Sequence, residues 1–204
     1  MPTYFTIVGI KITYFSLLLV IGAAAGTGLA VWRISRRGLP PGVLLDALPW
    51  VLLGGVVGAR LFHIFSPPRS MVMRGLTTRY YLTHFYDALA IWKGGFDIYG
   101  AVVGGILALY FFTRIKDMKF YSWADAAAPG ACLGQAISSW GLYFNQELYG
   151  KPTRVPWAIQ IDPAYRLEGY QEVAYYHPLF LYFSLWSLVS LAFLLGMERI
   201  RKKN

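Results

Sequence analysis

The chain has 204 residues, of which 56% are hydrophobic and 14% are charged. Soluble domains carry about 25% charged residues, so this composition excludes an ordinary soluble protein and predicts one integral membrane domain over residues 1–204. The net charge of +9 does not indicate nucleic-acid binding, because the charges fall in short clusters between apolar runs, a pattern typical of loops that set membrane orientation.

Apolar runs recur from end to end. A transmembrane helix needs about 20 apolar residues to cross about 30 Å of hydrocarbon. The runs predict an all-α, polytopic membrane helical bundle with about five transmembrane helices and two long outer loops. The predicted spans are Tyr14–Trp32, Val43–Phe65, Ile98–Thr113, Ala124–Phe144 and Pro178–Gly196.

Basic residues are concentrated beside the ends of the first, third and fifth spans. They are Arg33, Arg36, Arg37, Arg114, Lys116, Lys119, Arg199, Arg201, Lys202 and Lys203. Cytoplasmic loops carry such an excess of Lys and Arg, so we expect the N-terminus outside and the C-terminus in the cytoplasm. The long outer segments then run from about Ser66 to Asp97 and from about Asn145 to His177, and we expect function there because long loops carry sites.

Several classes of site and processing signal are not indicated. The single cysteine, Cys132, cannot form an internal disulfide, and no zinc-type spacing, P-loop or Ser-His-Asp pattern is visible. We therefore predict no metal and no other cofactor. The first apolar run lacks a basic leading region and continues into further spans, so no cleavable signal peptide is expected.

Arg60 lies well inside the second predicted span. Its guanidinium fork matches phosphate oxygens, so at headgroup depth it is a natural ligand for a phospholipid phosphate. The alternative is that Arg60 reaches the interface or pairs with a carboxylate such as Asp97 or Glu147. His63 follows on the same helix face, where an interfacial hydrogen-bonding role is the simpler interpretation.

A polar stripe follows the fourth predicted helix. Its members fall at helical spacing and are Gln135, Ser138, Ser139, Leu142 and Gln146. At its outer end the stripe meets Asn145 and Glu147. Polar side chains in a membrane helix either bond neighbouring helices or line a substrate cavity, and the spacing leaves both open.

Two further segments lie at predicted helix entrances. Gly94–Gly100 leads into the third span and contains Asp97 and Tyr99. A helix N-terminus favours negative charge, so this segment is a candidate for holding an anion or a proton donor, and the alternative is a tight turn with Asp97 as N-cap. His177–Pro178 opens the fifth helix in the usual manner of proline, with Tyr182 directed into the bundle or the interface.

At these residues the chain resembles the prolipoprotein diacylglyceryl transferase family of bacterial inner-membrane enzymes. The matching stretches keep the family order. They are Gly58–Arg60, Ile91–Gly105, Ala124–Pro129, Gly134–Ile137, Trp140–Gly141, Phe144–Glu147, Val155–Ala158, His177–Pro178 and Leu181–Tyr182. The resemblance implies transfer of diacylglyceryl from phosphatidylglycerol to the lipobox cysteine thiol of a prolipoprotein, which leaves a thioether and glycerol phosphate. The implied partners are phosphatidylglycerol, a prolipoprotein signal peptide and membrane lipids.

The resemblance also implies roles for individual residues. Tyr99, at the position where many members have His, is the implied catalytic acid or base, and Arg60 helps to hold the anionic headgroup. The residues implied in lipid or substrate binding are Gly100, Gln135, Ser139, Asn145, Gln146, Glu147, His177 and Tyr182.

The chain departs from the family pattern at three positions. The Arg that the family uses on the lipid phosphate is Ser139 here, the family Asn is Leu142, and the carboxylate expected after Leu-Tyr is Phe183. Loss of one positioned donor costs about 10² to 10³ in rate, so weak or absent turnover is expected.

Two other functions compete with the transferase. One is a catalytically inactive lipid-binding or accessory membrane protein that kept the transferase scaffold. The other, a channel or transporter, has little support because no inverted repeat is visible. The chain also ends before the last two family spans, so self-association or an additional subunit is expected.

Overall fold

The computed structural model describes residues 4–7, 10–91, 94–166 and 169–201. Helices dominate this part of the chain, and the strands form two small antiparallel pairs. The helices are α1 (Tyr14–Arg36), α2 (Pro41–Phe65), α3 (Arg69–Met73), α4 (Thr78–Thr83), α5 (Phe85–Leu89), α6 (Ile98–Ile115), α7 (Phe120–Phe144) and α8 (Leu179–Arg201). The strands are β1 (Tyr4–Ile7), β2 (Ile10–Thr13), β3 (Ile159–Gln160) and β4 (Tyr175–Tyr176).

Four of the described helices, α1, α2, α6 and α8, are long and apolar enough to cross a membrane. They coincide with four of the predicted spans, which confirms the all-α membrane fold. A helix of 25 residues, α7, forms at the position of the remaining span. It is long enough to cross, but it carries the polar stripe and is not among these four.

Local sequence signals explain where the long helices begin. The Thr13 side chain accepts a hydrogen bond from the Ser16 amide at 3.1 Å and caps α1. Pro41 occupies the first turn of α2, where its missing amide hydrogen costs nothing. Asp97 caps α6 by accepting from the Tyr99 amide at 2.8 Å, which confirms the N-cap interpretation of this segment.

The contacts divide the chain into two compact units. The first comprises residues 1–38 and 125–204, and the second comprises residues 39–124. The first unit holds α1, most of α7, α8 and both strand pairs, whereas the second holds α2 to α6. The single integral membrane domain expected over residues 1–204 stays a prediction.

Glycine allows α2 and α6 to pack with their backbones in close contact in the second unit. A Cβ added to Gly54 would lie 2.5 Å from the Ala108 Cβ and 2.8 Å from the Gly104 carbonyl oxygen. A Cβ added to Gly58 would collide with the Gly100 carbonyl oxygen. Since real Cβ atoms do not approach within 3.0 Å, only glycine fits at these crossings.

Close packing at glycines also joins α1 to α7 in the first unit. A Cβ on Gly22 would lie 2.6 Å from the Gly134 carbonyl oxygen, and one on Gly26 would lie 2.5 Å from that of Gly130. Small residues at four positions therefore place this face of α7 directly against α1.

Polar contacts hold α8 to the other helices of the first unit. The Ser184 hydroxyl donates to the Ala136 carbonyl at 2.9 Å and lies 3.2 Å from the indole nitrogen of Trp140. Near the C-terminal end of α8, Glu198 accepts from Arg33 at 2.5 Å and from Arg37 at 3.2 Å. Arg33 is only 4% exposed, so this ion-pair cluster is partly desolvated and ties α1 to α8.

The two long segments that were predicted to lie outside contain structure that the hydropathy pattern did not predict. Helices α3, α4 and α5 lie in the first, and β3 and β4 pair in the second with Ile159 opposite Tyr176. Some residues that entered the motif and charge predictions lie outside the described part of the chain, namely Trp92, Lys93, Lys202 and Lys203.

Candidate functional site

Arg60 is held by backbone carbonyls in the second unit. It lies in α2 and is 7% exposed. Its Nε donates to the Ala88 carbonyl at 2.8 Å, and Nη2 donates to that of Asp87 at 2.5 Å. Its Nη1 donates to the carbonyls of Gly94 and Gly95 at 2.5 and 3.0 Å. The guanidinium therefore anchors both α5 and the loop before α6 onto α2.

The charge of Arg60 is not neutralised by a bonded carboxylate within the described residues. Asp97 instead caps α6, so the proposed pairing of Arg60 with Asp97 is wrong. Four of the five N–H donors of a guanidinium are used, and all four partners are neutral. The Arg60 guanidinium also lies 5.6 Å from the ring centroid of Tyr81, close enough for a cation–π contact.

His63 lies one turn after Arg60 and is also buried, at 3% exposure. Its Nε2 is 3.5 Å from the Tyr81 hydroxyl, at the limit of a hydrogen bond. Gly95 sits against both side chains and has a φ of +81°. Only glycine combines that backbone conformation with so close an approach, so the Gly94–Gly95 turn shapes the pocket around Arg60 and His63.

Tyr99 is the most accessible of the predicted chemical groups in this unit. Its side chain is 70% exposed, and its ring centroid lies 6.3 Å from that of Phe62. Its hydroxyl has no hydrogen bond to any described residue. Gly100, in contrast, is packed against the backbone of Gly58 in α2. The phenol of Tyr99 is therefore accessible, whereas Gly100 contributes to the packing of α6 on α2.

In the first unit the polar stripe of α7 ends sooner than predicted. The helix stops at Phe144, and Gln146 has a φ of +53° in the left-handed region. The prediction that Gln146 continues the helical stripe is wrong, because the chain has already turned. Ser139 is buried and donates to the carbonyl of Gln135 in its own helix at 2.7 Å, while the Gln135 side chain is exposed.

Gln146 forms a two-way clamp with Asp162. Its Nε2 donates to the Asp162 carboxylate at 2.6 Å, and its Oε1 accepts from the Asp162 amide at 2.6 Å. The hydrogen bond from Gln146 holds the pKa of the Asp162 carboxyl below its usual value. Asp162 was missed from the sequence, since nothing in the spacing connects two loop residues 16 positions apart. Asn145 and Glu147 flank the clamp, half-buried and exposed respectively.

His177 and Tyr182 form a hydrogen-bonded pair at the start of α8. The Tyr182 hydroxyl lies 3.0 Å from His177 Nδ1 and accepts from the Trp157 indole at 2.8 Å. Because an indole nitrogen can only donate, Tyr182 links the indole to the imidazole. Trp157 was not among the predicted site residues, although it lies in the matching stretch Val155–Ala158, which was the available signal.

The structure thus gathers the predicted residues into two sets, one in each unit. The second unit contains the buried guanidinium of Arg60 and the exposed phenol of Tyr99. The first presents an imidazole–phenol pair, a buried amide clamp and the side chains of Gln135, Asn145 and Glu147, which make no hydrogen bond within the described residues. No group of three His, Cys, Asp or Glu side chains that could hold a metal ion occurs among residues 4–7, 10–91, 94–166 and 169–201.

Comparison with known proteins identifies relatives along nearly the whole chain. A family model for prolipoprotein diacylglyceryl transferase matches residues 2–204. A phosphatidylglycerol–prolipoprotein diacylglyceryl transferase of Frankia alni is 40% identical over 185 residues, which cover 91% of this chain and 47% of the relative. A protein of that name from Gloeobacter violaceus is 40% identical, and the alignment covers 95% of this chain and 69% of the relative. A protein of that name with the number 2, from Streptomyces coelicolor, is 39% identical, and the alignment covers 88% of this chain and 54% of the relative. The chain therefore spans about half to two thirds of the length of these relatives.

Proposed function

We propose that this chain, which belongs to the prolipoprotein diacylglyceryl transferase family, transfers the diacylglyceryl group of phosphatidylglycerol to the lipobox cysteine thiol of a prolipoprotein. The observation that carries the proposal is the family match over residues 2–204. Two observations on the described residues support it: the exposed phenol of Tyr99 has no hydrogen-bond partner among them, and none of them supplies a carboxylate bonded to Arg60.

In the proposed reaction the cysteine sulfur forms a bond to the glyceryl carbon that carries the phosphate. The bond between that carbon and the phosphate oxygen breaks, so glycerol phosphate leaves and a thioether remains. The thiol proton must be removed, and the negative charge on the departing phosphate must be stabilised. The site therefore needs one group that exchanges a proton and at least one positive charge near the phosphate.

Tyr99 and Arg60 are proposed for these two tasks. The Tyr99 hydroxyl is exposed and unbonded among the described residues, so it can accept or return a proton as general acid–base catalysis requires. Arg60 contributes positive charge, but its guanidinium already donates to backbone carbonyls of α5 and of the loop before α6. Its proposed role is electrostatic attraction and shaping of the loop, rather than a bidentate grip on the phosphate.

The first unit supplies the proposed headgroup contacts. Gln135, Asn145 and Glu147 have side chains available for polar groups of the lipid. Gln146 and Ser139 are bonded to the protein itself, so we propose that they hold neighbouring residues in position. His177 and Tyr182 are proposed to present a polar surface to the substrate.

A specific observation favours a second candidate function. Ser139 is 4% exposed and bonded to its own helix, so this position supplies no positive charge to a phosphate. Retention of the scaffold without that charge would give a lipid-binding or accessory membrane protein with little turnover. Both candidates place the chain in the bacterial inner membrane, with the N-terminus outside and the C-terminus in the cytoplasm.

A lipid-transfer assay tests the proposal. The protein, in vesicles containing phosphatidylglycerol, is given a lipobox peptide whose gain of a diacylglyceryl group is measured by mass spectrometry. Tyr99→Phe removes only the hydroxyl of an exposed side chain, and loss of one catalytic proton-transfer group lowers the rate by about 10² to 10⁴. The matched control is Tyr121→Phe, since Tyr121 is 83% exposed and has no proposed role.

The outcomes separate the two candidates. If the intact protein transfers lipid, and if Tyr99→Phe abolishes this transfer while Tyr121→Phe preserves it, the result supports the transferase. Absence of turnover from the intact protein, with phosphatidylglycerol still bound, rejects the transferase and supports the accessory protein. A companion variant with Ser139→Arg and Leu142→Asn, checked for folding, is expected to raise the rate if the missing charge limits it.

A further inference from the structure

A chain of two hydrogen bonds runs through three side chains at the start of α8. The Trp157 indole donates to the Tyr182 hydroxyl at 2.8 Å, and that hydroxyl lies 3.0 Å from Nδ1 of His177. The other ring nitrogen of His177, Nε2, has no hydrogen bond to any described residue, and the imidazole is only half-buried. The proposed function assigns no role to Trp157.

The short strand pair of the first unit brings these side chains together. Because β3 and β4 are antiparallel, Trp157 just before β3 and His177 just after β4 emerge at the same end of the pair. The His177 amide donates to the Lys151 carbonyl at 3.1 Å, and the His177 carbonyl accepts from the Gly150 amide at 2.9 Å. Tyr182 lies in the first turn of α8, and helical side chains lean toward the N-terminus. The fold therefore fixes the position of all three rings.

The donors and acceptors of this chain of hydrogen bonds select one tautomer of His177. An indole nitrogen can only donate, so the Tyr182 oxygen accepts from Trp157. The hydroxyl keeps its own hydrogen, and His177 Nδ1 is the acceptor within its reach among the described residues. All three groups are satisfied when the hydroxyl donates to Nδ1 and the ring hydrogen is on Nε2. With the ring hydrogen on Nδ1, the Tyr182 oxygen would accept twice and its hydrogen would lack an acceptor among these residues.

We infer that Trp157 is a positioning residue that acts through Tyr182 and holds His177 with its Nε2–H free to donate to the phosphate of the lipid substrate. The inference rests on the proposed function, in which His177 faces that substrate. An N–H donor favours a phosphate oxygen, because hydrogen bonds to an ionised acceptor are about twice as strong as neutral ones.

The indole N–H is what makes this arrangement one-sided. Its donation to the phenol oxygen polarises the hydroxyl and strengthens the next hydrogen bond, to Nδ1. Without Trp157 the Tyr182 oxygen is free to accept from Nδ1–H of His177. The opposite tautomer then becomes populated, and its Nε2 carries a lone pair, which repels a phosphate oxygen.

Nitrogen-15 NMR of the ring nitrogens tests the tautomer. The chain has three histidines, so the spectrum of histidine-labelled protein in detergent is simple, and His177→Gln identifies the His177 signals by their loss. In alkaline buffer, where imidazole is neutral, we expect a protonated Nε2 and an unprotonated Nδ1. Trp157→Phe removes the N–H donor and keeps an aromatic ring. It should raise the ratio of Nδ1–H to Nε2–H tautomer about 2- to 10-fold, the effect of one net hydrogen bond on an equilibrium.

Two further variants complete the test. Trp186→Phe is the matched control, because Trp186 also lies on α8, is 71% exposed and bonds no described residue; it should leave the His177 signals unchanged. Tyr182→Phe breaks the chain of hydrogen bonds at its centre, so it should shift the tautomer in the same direction even if Trp157→Phe folds poorly. A protonated Nδ1 in the intact protein, or His177 signals that neither variant of the chain changes, overturns the inference.

The same signals report on the lipid. Added phosphatidylglycerol should shift the Nε2 signal of His177, whereas diacylglycerol, which has no phosphate, should not. An Nε2 signal that does not respond to phosphatidylglycerol, or that responds equally to diacylglycerol, overturns the inference whether or not transfer occurs. The expected tautomer and lipid response without any transfer rejects the proposed enzyme and leaves the role of Trp157 standing.

Discussion

The guanidinium of Arg60 bonds two carbonyls of α5 and two of the loop before α6. The amide of Gln146 bonds both the backbone and the side chain of Asp162. Both side chains are 7% exposed. A buried polar group left without partners costs about 1–3 kcal/mol, which these bonds avoid. At the residue scale, these two buried polar side chains therefore fix the shape of the long segments between the helices. Exposed groups such as Tyr99 are the ones that we propose for a ligand.

The Gln146–Asp162 clamp predicts a dependence of stability on pH. The pKa of Asp162 is lowered from its ordinary value of 3.8 by the hydrogen bond from Gln146. A depressed carboxyl pKa stabilises the folded state above the unfolded value, and this contribution is lost as the pH falls through the folded value. The melting temperature in detergent should therefore fall as the pH drops below about 4.

Asp162→Asn is the matched control for this prediction, because it keeps the shape and removes the titrating group. It should melt at a lower temperature near pH 7 and lose part of the acid dependence. Identical acid profiles for the two proteins would contradict the role of the clamp.

At the scale of helices, close packing between glycines organises each unit. Gly54 and Gly58 of α2 face Gly100 and Gly104 of α6, and the equivalent crossing in the first unit joins α1 to α7. Between membrane helices hydrophobic attraction is weak, so association depends on close van der Waals contact. The hydropathy pattern placed these glycines in the predicted spans, and the structure shows which of them face one another.

A single methyl group at the α2–α6 crossing should be costly. Gly104→Ala would push its Cβ against the backbone of Gly54 and Gly58, and overpacking of this kind destabilises by about 1–3 kcal/mol. Gly28→Ala in α1 is the matched control, since nothing lies within 4 Å of an added Cβ. It should be neutral or stabilising by up to about 1 kcal/mol.

Denaturant unfolding of the two alanine variants in mild detergent checks this expectation. Equal stabilities would show that the α2–α6 crossing tolerates a methyl group and that the close approach is not required.

At the scale of the whole molecule, the exposed apolar faces of the long helices fit a membrane environment. The described part of the chain has four helices that meet the length and hydropathy of spans. Their outward faces are rich in exposed apolar residues, including Leu53 at 65% and Val189 at 59%. Exposure of large apolar side chains is unfavourable in water and ordinary in lipid. The surface of the long helices therefore agrees with the membrane location that the hydrophobic composition predicts.

Reporter fusions test the proposed orientation. Alkaline phosphatase, which is active only outside the cytoplasm, should be inactive when fused after Lys116 and active when fused after Glu172. The reason is the excess of Lys and Arg beside the ends of α1, α6 and α8, which favours retention on the cytoplasmic side. The opposite pattern of activity would reverse the proposed topology and place the long segments inside.

Local chemistry was sufficient to predict the five long helices from the sequence, although not the short helices α3, α4 and α5. The start of α1 at Tyr14, the end of α2 at Phe65 and the end of α7 at Phe144 agree with the predicted spans, because hydropathy, proline and N-caps act over a few neighbouring residues. The N-cap role of Asp97 was one of the two alternatives that the sequence left open, and the structure shows it.

Only the tertiary structure decided what the polar residues contact. Tyr182 meets Trp157 from 25 positions away, Gln146 meets Asp162 from 16, and Arg60 meets carbonyls 27 to 35 positions on. Apart from the Arg60 partners in α5, these partners lie in loops. In a loop no regular period fixes the direction of a side chain, and one residue in the left-handed region, such as Gln146, redirects the chain. The sequence by itself thus determined the family and the apolar helices, and the fold determined which buried groups bond the protein and which remain open to a lipid.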